Sequence, residues 1–196
     1  MGQPSTALCH LLGSPSWYTT HEQSDYEKLW VEMRDADKRN FTIIGSTKGW
    51  GEKESDNGLI SGHAYTVTSV YDLPVGGQTK LDKPTRLIKL MNPWGKGEWN
   101  GDWSDHSPLW TPIITKALGQ SKKEDGIFFM TFEDYFQNFE ATHFALETDV
   151  DKYKHSQIQN DFSKKSVAYY EFTLYNDLEL LNSVFAISCL QQGPRL

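Results

Sequence analysis

The chain has 196 residues, with 19 Lys and Arg against 26 Asp and Glu and a net charge of −7 at neutral pH. That is enough for one sizeable domain, or one domain and part of another, and an acidic balance without any Lys/Arg run excludes nucleic acid as the main partner. No apolar stretch approaches the ~20 residues of a membrane span, and no basic-then-apolar leader stands at the N-terminus. Two cysteines far apart, Cys9 and Cys189, make no disulfide framework, which fits a reducing, cytoplasmic setting.

Thr6 to Leu12 reads as a short helix stopped by Gly13 and Pro15. Cys9 lies within it, with no glycine-rich turn before it and no Trp after it, so a small buried hydrophobe is its expected role. From Ser24 to about Asp37 the pattern is helical. Ser24 and Glu27 have capping-box spacing, and Tyr26, Leu29, Trp30 and Met33 form an apolar stripe suited to packing on a sheet. Phe41 to Thr47 reads as a strand, and the polar, glycine-containing Lys48–Asn57 as a mobile loop able to gate a site.

Two runs follow that belong together. His63 to Tyr71 alternates β-branched and aromatic residues, and Leu87 to Met91 is apolar; both predict strands. Turn residues between them, at Leu73–Gly77 and Asp82–Pro84, predict a long antiparallel hairpin. His63 then opens one strand and Asn92 closes the other, so imidazole and amide can meet at one end of a sheet. A histidine oriented by an Asn amide oxygen is part of a Cys-His-Asn arrangement. Equally, His at a strand start and Asn before Pro are ordinary structural residues, and spacing alone leaves both readings open.

Beyond the hairpin Trp94, Trp99, Trp103 and Trp110 crowd one run, a density expected for packing under a loop. Ile127–Phe132 reads as a strand, Glu133–Phe139 as a short helix with Tyr135, Phe136 and Phe139 on one face, and Thr142–Leu146 as a last strand. From Thr148 to Lys165 core residues thin out, as in a linker. Val167–Leu174 and Leu180–Leu190 then look like two further strands around Asn176-Asp177.

Gly62-His63-Ala64-Tyr65, Asn92-Pro93-Trp94-Gly95, Glu98 to Asp105 and Glu124 to Phe132 occur in this order, and together they resemble the second half of a calpain protease core, from about Ala7 to about Glu147. The resemblance implies an α+β fold with an antiparallel sheet and a few packed helices, the His/Asn-bearing half of a papain-like core. It divides the chain into residues 1–148 as the second core subdomain, 149–165 as linker and 166–196 as the opening of a C2-like β-sandwich. A sandwich of about seven or eight strands would remain incomplete here.

The activity it implies is calcium-dependent peptide-bond hydrolysis through a thioester. His63 would be the base, Asn92 its orienting partner, and Trp94 the ring that shields their bond and sets the separation of the two halves. The nucleophile pattern Gln-Gly-x-x-Gly-Asp-Cys-Trp is absent, and Cys9 is not its equivalent. The expected partners are a protein or peptide substrate and a nucleophile-bearing first half, in cis upstream or in trans. The chain alone is expected to be inactive, and a non-enzymatic binding or regulatory module is the alternative. For calcium the resemblance implies side-chain ligands Glu98, Asp105 and Asp125 and the carbonyl of Lys123. A further acidic ligand of the family is Ile127 here, so a weak site is expected.

Overall fold

The computed structural model describes residues 3–73 and 85–146, all within the unit Met1–Glu147. The expected hairpin turn over residues 74–84, the linker 149–165 and the strands Val167–Leu174 and Leu180–Leu190 lie outside the described residues. In chain order the elements are α1 (Pro4–Leu12), β1 (Ser16–Thr20), a 3-10 turn His21–Gln23, α2 (Tyr26–Lys38), β2 (Thr42–Thr47), β3 (Ala64–Leu73), β4 (Thr85–Met91), α3 (Pro112–Leu118), β5 (Ile127–Thr131), α4 (Phe132–Asn138) and β6 (Phe139–Ala145). The expected α+β class with an antiparallel sheet is what the chain adopts.

The strands form one six-stranded sheet in the order β1-β6-β2-β3-β4-β5, with every pairing antiparallel. β3 and β4 are the expected hairpin strands, with Thr66 opposite Met91 and Leu73 opposite Thr85. From the β5 edge the chain turns through α4 and returns as β6, between β1 and β2.

Burial follows the two-residue period of a strand. Phe128 and Met130 of β5 join Leu29, Trp30 and Met33 of α2, Tyr65 and Val67 of β3, and Tyr135 of α4 in one core. Phe129, between them, joins Leu87, Trp103 and Ile114 in a second core on the other face. Trp99, Trp103 and Trp110 are therefore packing, as expected, with Trp94 the exception: Trp103 meets Trp110 edge-on at 4.9 Å, and Trp110 meets Phe129 at 5.1 Å. Arg86 of β4 fastens α2 with paired bonds to Glu27 (2.9 and 2.7 Å) while lying over the Trp30 ring.

Several boundaries differ from the sequence reading, each for a local reason. The helix cap is Asp25 rather than Ser24: the Asp25 carboxylate accepts from the Lys28 N–H, while the Ser24 hydroxyl donates to the His21 carbonyl. Phe139 is not on the α4 face but opens β6, where its ring stacks on Tyr135 at 4.3 Å. β1 and α3 are additional to the elements expected from the sequence. For α3 the signals were present, with Thr111 accepting from the Ile114 N–H, Pro112 in the first turn and Gly119 at the left-handed C-cap. Cys9 is buried in α1, which packs on β1 and β6.

Buried polar groups lie on both faces of β6. Thr142 Oγ1 meets His21 Nε2 and the Tyr135 hydroxyl, both at 2.8 Å, and Ser46 bonds His143 Nε2 at 2.9 Å. Burial lowers His21 to a pKa of about 4, against the opposing pull of the Phe136 carbonyl, and burial alone lowers His143 to about 4. Both rings are neutral in the fold, whereas the unfolded chain protonates them below about pH 6.5. Stability is thus complete above that pH and falls as pH drops from about 6.5 towards 4. We expect a loss of roughly 2–3 kcal/mol per histidine at pH 4. Urea titrations at stepped pH check this; His143→Gln should flatten the acid limb, and an equally steep limb in that variant would refute the assignment.

Candidate active site

The site is built where β3 begins and β4 ends. His63 precedes β3 and is 8% exposed; Asn92 follows β4 and is 1% exposed. His63 Nε2 lies 3.0 Å from Asn92 Oδ1. The amide can present only its oxygen to the ring, because Asn92 Nδ2 donates to the carbonyls of Lys96 (2.6 Å) and Gly97 (3.2 Å). The same Oδ1 accepts from the Trp94 N–H at 3.0 Å. With an acceptor opposite it, Nε2 carries the proton and Nδ1 becomes the ring's working nitrogen.

The backbone beneath is tied at several points. Asn92 N–H donates to the Gly126 carbonyl at 2.8 Å. Gly126 has φ 81°, and a Cβ there would stand 2.9 Å from the Asn92 carbonyl oxygen, so the close approach requires glycine. Thr47, at the end of β2, clamps the other partner: its hydroxyl accepts from the His63 N–H at 3.0 Å and donates to the Ile60 carbonyl at 2.6 Å. Tyr65 stands edge-on to the imidazole at 5.1 Å while its hydroxyl accepts from the Ile60 N–H at 2.8 Å. Sequence reasoning missed both supporting roles. Tyr65 lay inside the Gly62–Tyr65 motif, but no local signal marks Thr47.

Trp94 lies with its ring 4.4 Å from that of His63 and is 46% exposed. One face covers the imidazole and much of the rest meets solvent. On the Nδ1 side stands Glu52, its Oε1 3.5 Å away. Glu52 belongs to the segment expected to be a mobile loop. That segment is internally bonded, with Ser61 N–H on the Lys53 carbonyl, Ser55 N–H on the Leu59 carbonyl and a bridge between Glu54 and Ile60.

A groove of about 850 Å³ runs from Glu52 and Trp94 to Glu98, Asp105 and Glu124. Of the expected calcium ligands, Glu98 and Asp105 line its far end. Glu98 Oε1 accepts from the N–H groups of Asp125 (3.0 Å) and Gly126 (2.7 Å). Asp125 Oδ1 accepts from the Ile127 N–H, and the Lys123 carbonyl from the Asp125 N–H. Asp105 is 6% exposed, and its Oδ2 has no hydrogen-bond partner. Burial pushes its carboxyl up to about 6; the Gln120 amide opposes this, and the charges of Glu98 and Asp125 reinforce it. The donors suit a hard cation in chemistry, and the orphaned buried oxygen suits one as well. Among the described residues, however, no three Asp, Glu, His or Cys side chains converge on one point.

The sheet thus presents an imidazole oriented by an Asn amide oxygen, with Nδ1 uncommitted to that amide, the geometry a general base requires. Residues 1–145 match the calpain family cysteine protease description, and the chain belongs to that family. It is 40% identical to human Calpain-14 over 147 residues, 74% of this chain and 20% of that protein. It is 44% identical to rat Calpain-9 over 118 residues, 59% of this chain and 16% of that protein, and 41% identical to Calpain clp-4 of Caenorhabditis elegans over 92 residues. The chain thus spans about a fifth or less of the relatives it matches.

Replacing Thr47 by Val keeps its shape but strands the buried His63 N–H, which costs roughly 1–3 kcal/mol. Urea unfolding should show that loss, together with a weakened His63 Nε2–H proton resonance. An unchanged resonance would mean that Thr47 does not hold the ring.

Proposed function

We propose that this chain is the His/Asn-bearing half of a calpain-type cysteine endopeptidase core, cytoplasmic, acting on protein or peptide substrates together with a nucleophile-bearing half. The observation that carries the reading is the 3.0 Å bond from His63 Nε2–H to Asn92 Oδ1. It commits one nitrogen to orientation and leaves Nδ1 to handle protons. Among the described residues no helix is long and apolar enough to cross a membrane.

In this mechanism His63 Nδ1 takes the proton of a thiol and holds the thiolate as an ion pair. The thiolate attacks the scissile carbonyl, and His63 returns the proton to the leaving amine as the thioester forms. It then removes a proton from water to hydrolyse that thioester. Asn92 holds the tautomer and the ring plane throughout. Trp94 keeps water from the His63–Asn92 bond, which strengthens it in a low local dielectric. The exposed part of Trp94 is the natural contact for the other half. Neither Cys9, buried in α1, nor Cys189 is assigned as the nucleophile, so this chain alone is inactive on this reading.

The test is complementation. Mixed with a calpain-like first half, the chain should produce weak calcium-stimulated cleavage of a fluorogenic peptide, with none from either half alone. His63→Ala should lower the rate by at least about 10²-fold, the scale of general acid–base catalysis. Cleavage that survives His63→Ala overturns the assignment of the base; folded, associating halves that never cleave favour a binding module.

Glu98, Asp105, Asp125 and the Lys123 carbonyl would hold calcium, whose charge would draw the two loops together and neutralise Asp105. The set falls short of the about six to eight oxygens calcium takes, and Ile127 stands at the start of β5 where another acid would complete it. Calorimetry should find little binding at micromolar calcium, and Ile127→Glu should tighten it about tenfold or more. Tight binding by the unaltered chain would show that the donor set is misassigned.

A further inference from the structure

The segment Gly49–Glu52 is the outermost part of the loop between β2 and β3. Gly49 and Gly51 have φ 93° and 88°, and a Cβ on Gly51 would meet nothing within 4 Å. Trp50 between them is 77% exposed. The next residue, Glu52, has φ 47°, a left-handed conformation that is unfavourable for a residue with a Cβ. On both sides the chain is fastened: Lys48 N–H bonds the Asn138 carbonyl, and Lys53 pairs with Ser61. A glutamate in an unfavourable backbone state at the end of an open, glycine-flanked tip thus directs its carboxylate to the working nitrogen of His63.

We propose that Glu52 is an internal counter-anion that occupies the nucleophile's place on His63. This rests on the reading that His63 serves a thiolate. Asn92 already engages Nε2, so the imidazolium has one free N–H, at Nδ1, and one anion at a time can pair with it. With Glu52 Oε1 3.5 Å from Nδ1, the carboxylate stands where a thiolate would pair with the ring, and it has to move before a thiolate can take that position. Glu52 is half exposed, with 53% of its side chain accessible, so water competes for the carboxylate and the latch is weak enough to open. It acts through His63 and is not itself a catalytic residue.

Two measurements separate this proposal from the reading beneath it. The first uses the chain alone and diethyl pyrocarbonate, which transfers a carbethoxy group to an unprotonated imidazole nitrogen; Nε2 is occupied by Asn92, so Nδ1 reports. Glu52→Gln and Glu52→Ala should each accelerate modification of His63, read by peptide mass spectrometry, by about two- to five-fold, the range a part-exposed ion pair supports. His10 and His106 serve as internal controls. An unchanged rate in both variants overturns the proposal; acceleration in Glu52→Ala alone shows a steric cover and overturns the counter-anion role. The second uses the complemented halves. Glu52→Gln should raise kcat by a similar factor with KM unchanged, because more rings are open to the thiolate; an unchanged or lower kcat overturns the latch while leaving His63 as the base. Halves that stay inactive with either residue at position 52 overturn the underlying reading and the latch with it.

Discussion

The bond between His63 and Asn92 is the constraint on which the rest of the site depends. It requires two residues 29 positions apart to meet within 3.0 Å, and an amide that can turn only one way. The β3–β4 register brings the pair together, and the carbonyls of Lys96 and Gly97 turn the amide. If either amide hydrogen lacked its carbonyl, Asn92 could rotate and present a donor, and Nε2 would no longer be fixed as the protonated nitrogen. The ring's chemistry is therefore written in backbone oxygens of the loop after Trp94.

That loop is held by both cores. Trp99, in the first, donates to the Asp102 carbonyl, and the partly buried Trp110, packed on the second, donates to the Ser104 carbonyl, so each indole satisfies its N–H while its ring covers apolar surface. Trp103 adopts a left-handed backbone, with φ 64°, to enter the layer that Leu87 and Phe129 complete. β5 shows the consequence. It is an edge strand, yet Phe128, Phe129 and Met130 are all buried, because α2 packs one face of the sheet and the tryptophan loop the other. Packing on both faces gives the site a rigid floor.

The groove above that floor is charged in a way the fold does not neutralise. Asp105 is buried with one unpartnered oxygen; Glu98 directs an oxygen at the N–H groups of Asp125 and Gly126 in a separate loop, Asp125 directs one at the Ile127 N–H, and Glu52 faces the imidazole. Acidic side chains at both ends of one groove give it a negative field.

The strands after β1, the long helix and the two hairpin strands are legible because their periods are local: Leu29, Trp30 and Met33 recur on a helix face, and alternation marks His63 to Tyr71. The His63/Asn92 pair followed from hairpin geometry, which places a strand's start beside its partner's end. Helix α3 carried its own caps and could have been read. Other features could not. Asp25 and Ser24 are equally good caps, and only the His21 carbonyl decided between them. Phe139 fits a helix face or a strand start, and the pairing of β6 between β1 and β2 made it a strand. Thr47 became a clamp and Glu52 a neighbour of Nδ1 through contacts across 16 and 11 residues. The sequence by itself determined the period of each element and the chemical kinds of group in the motifs. Which groups meet was decided by the tertiary structure alone, because distances of about 3 Å between distant residues depend on strand order and loop path, which no local pattern encodes.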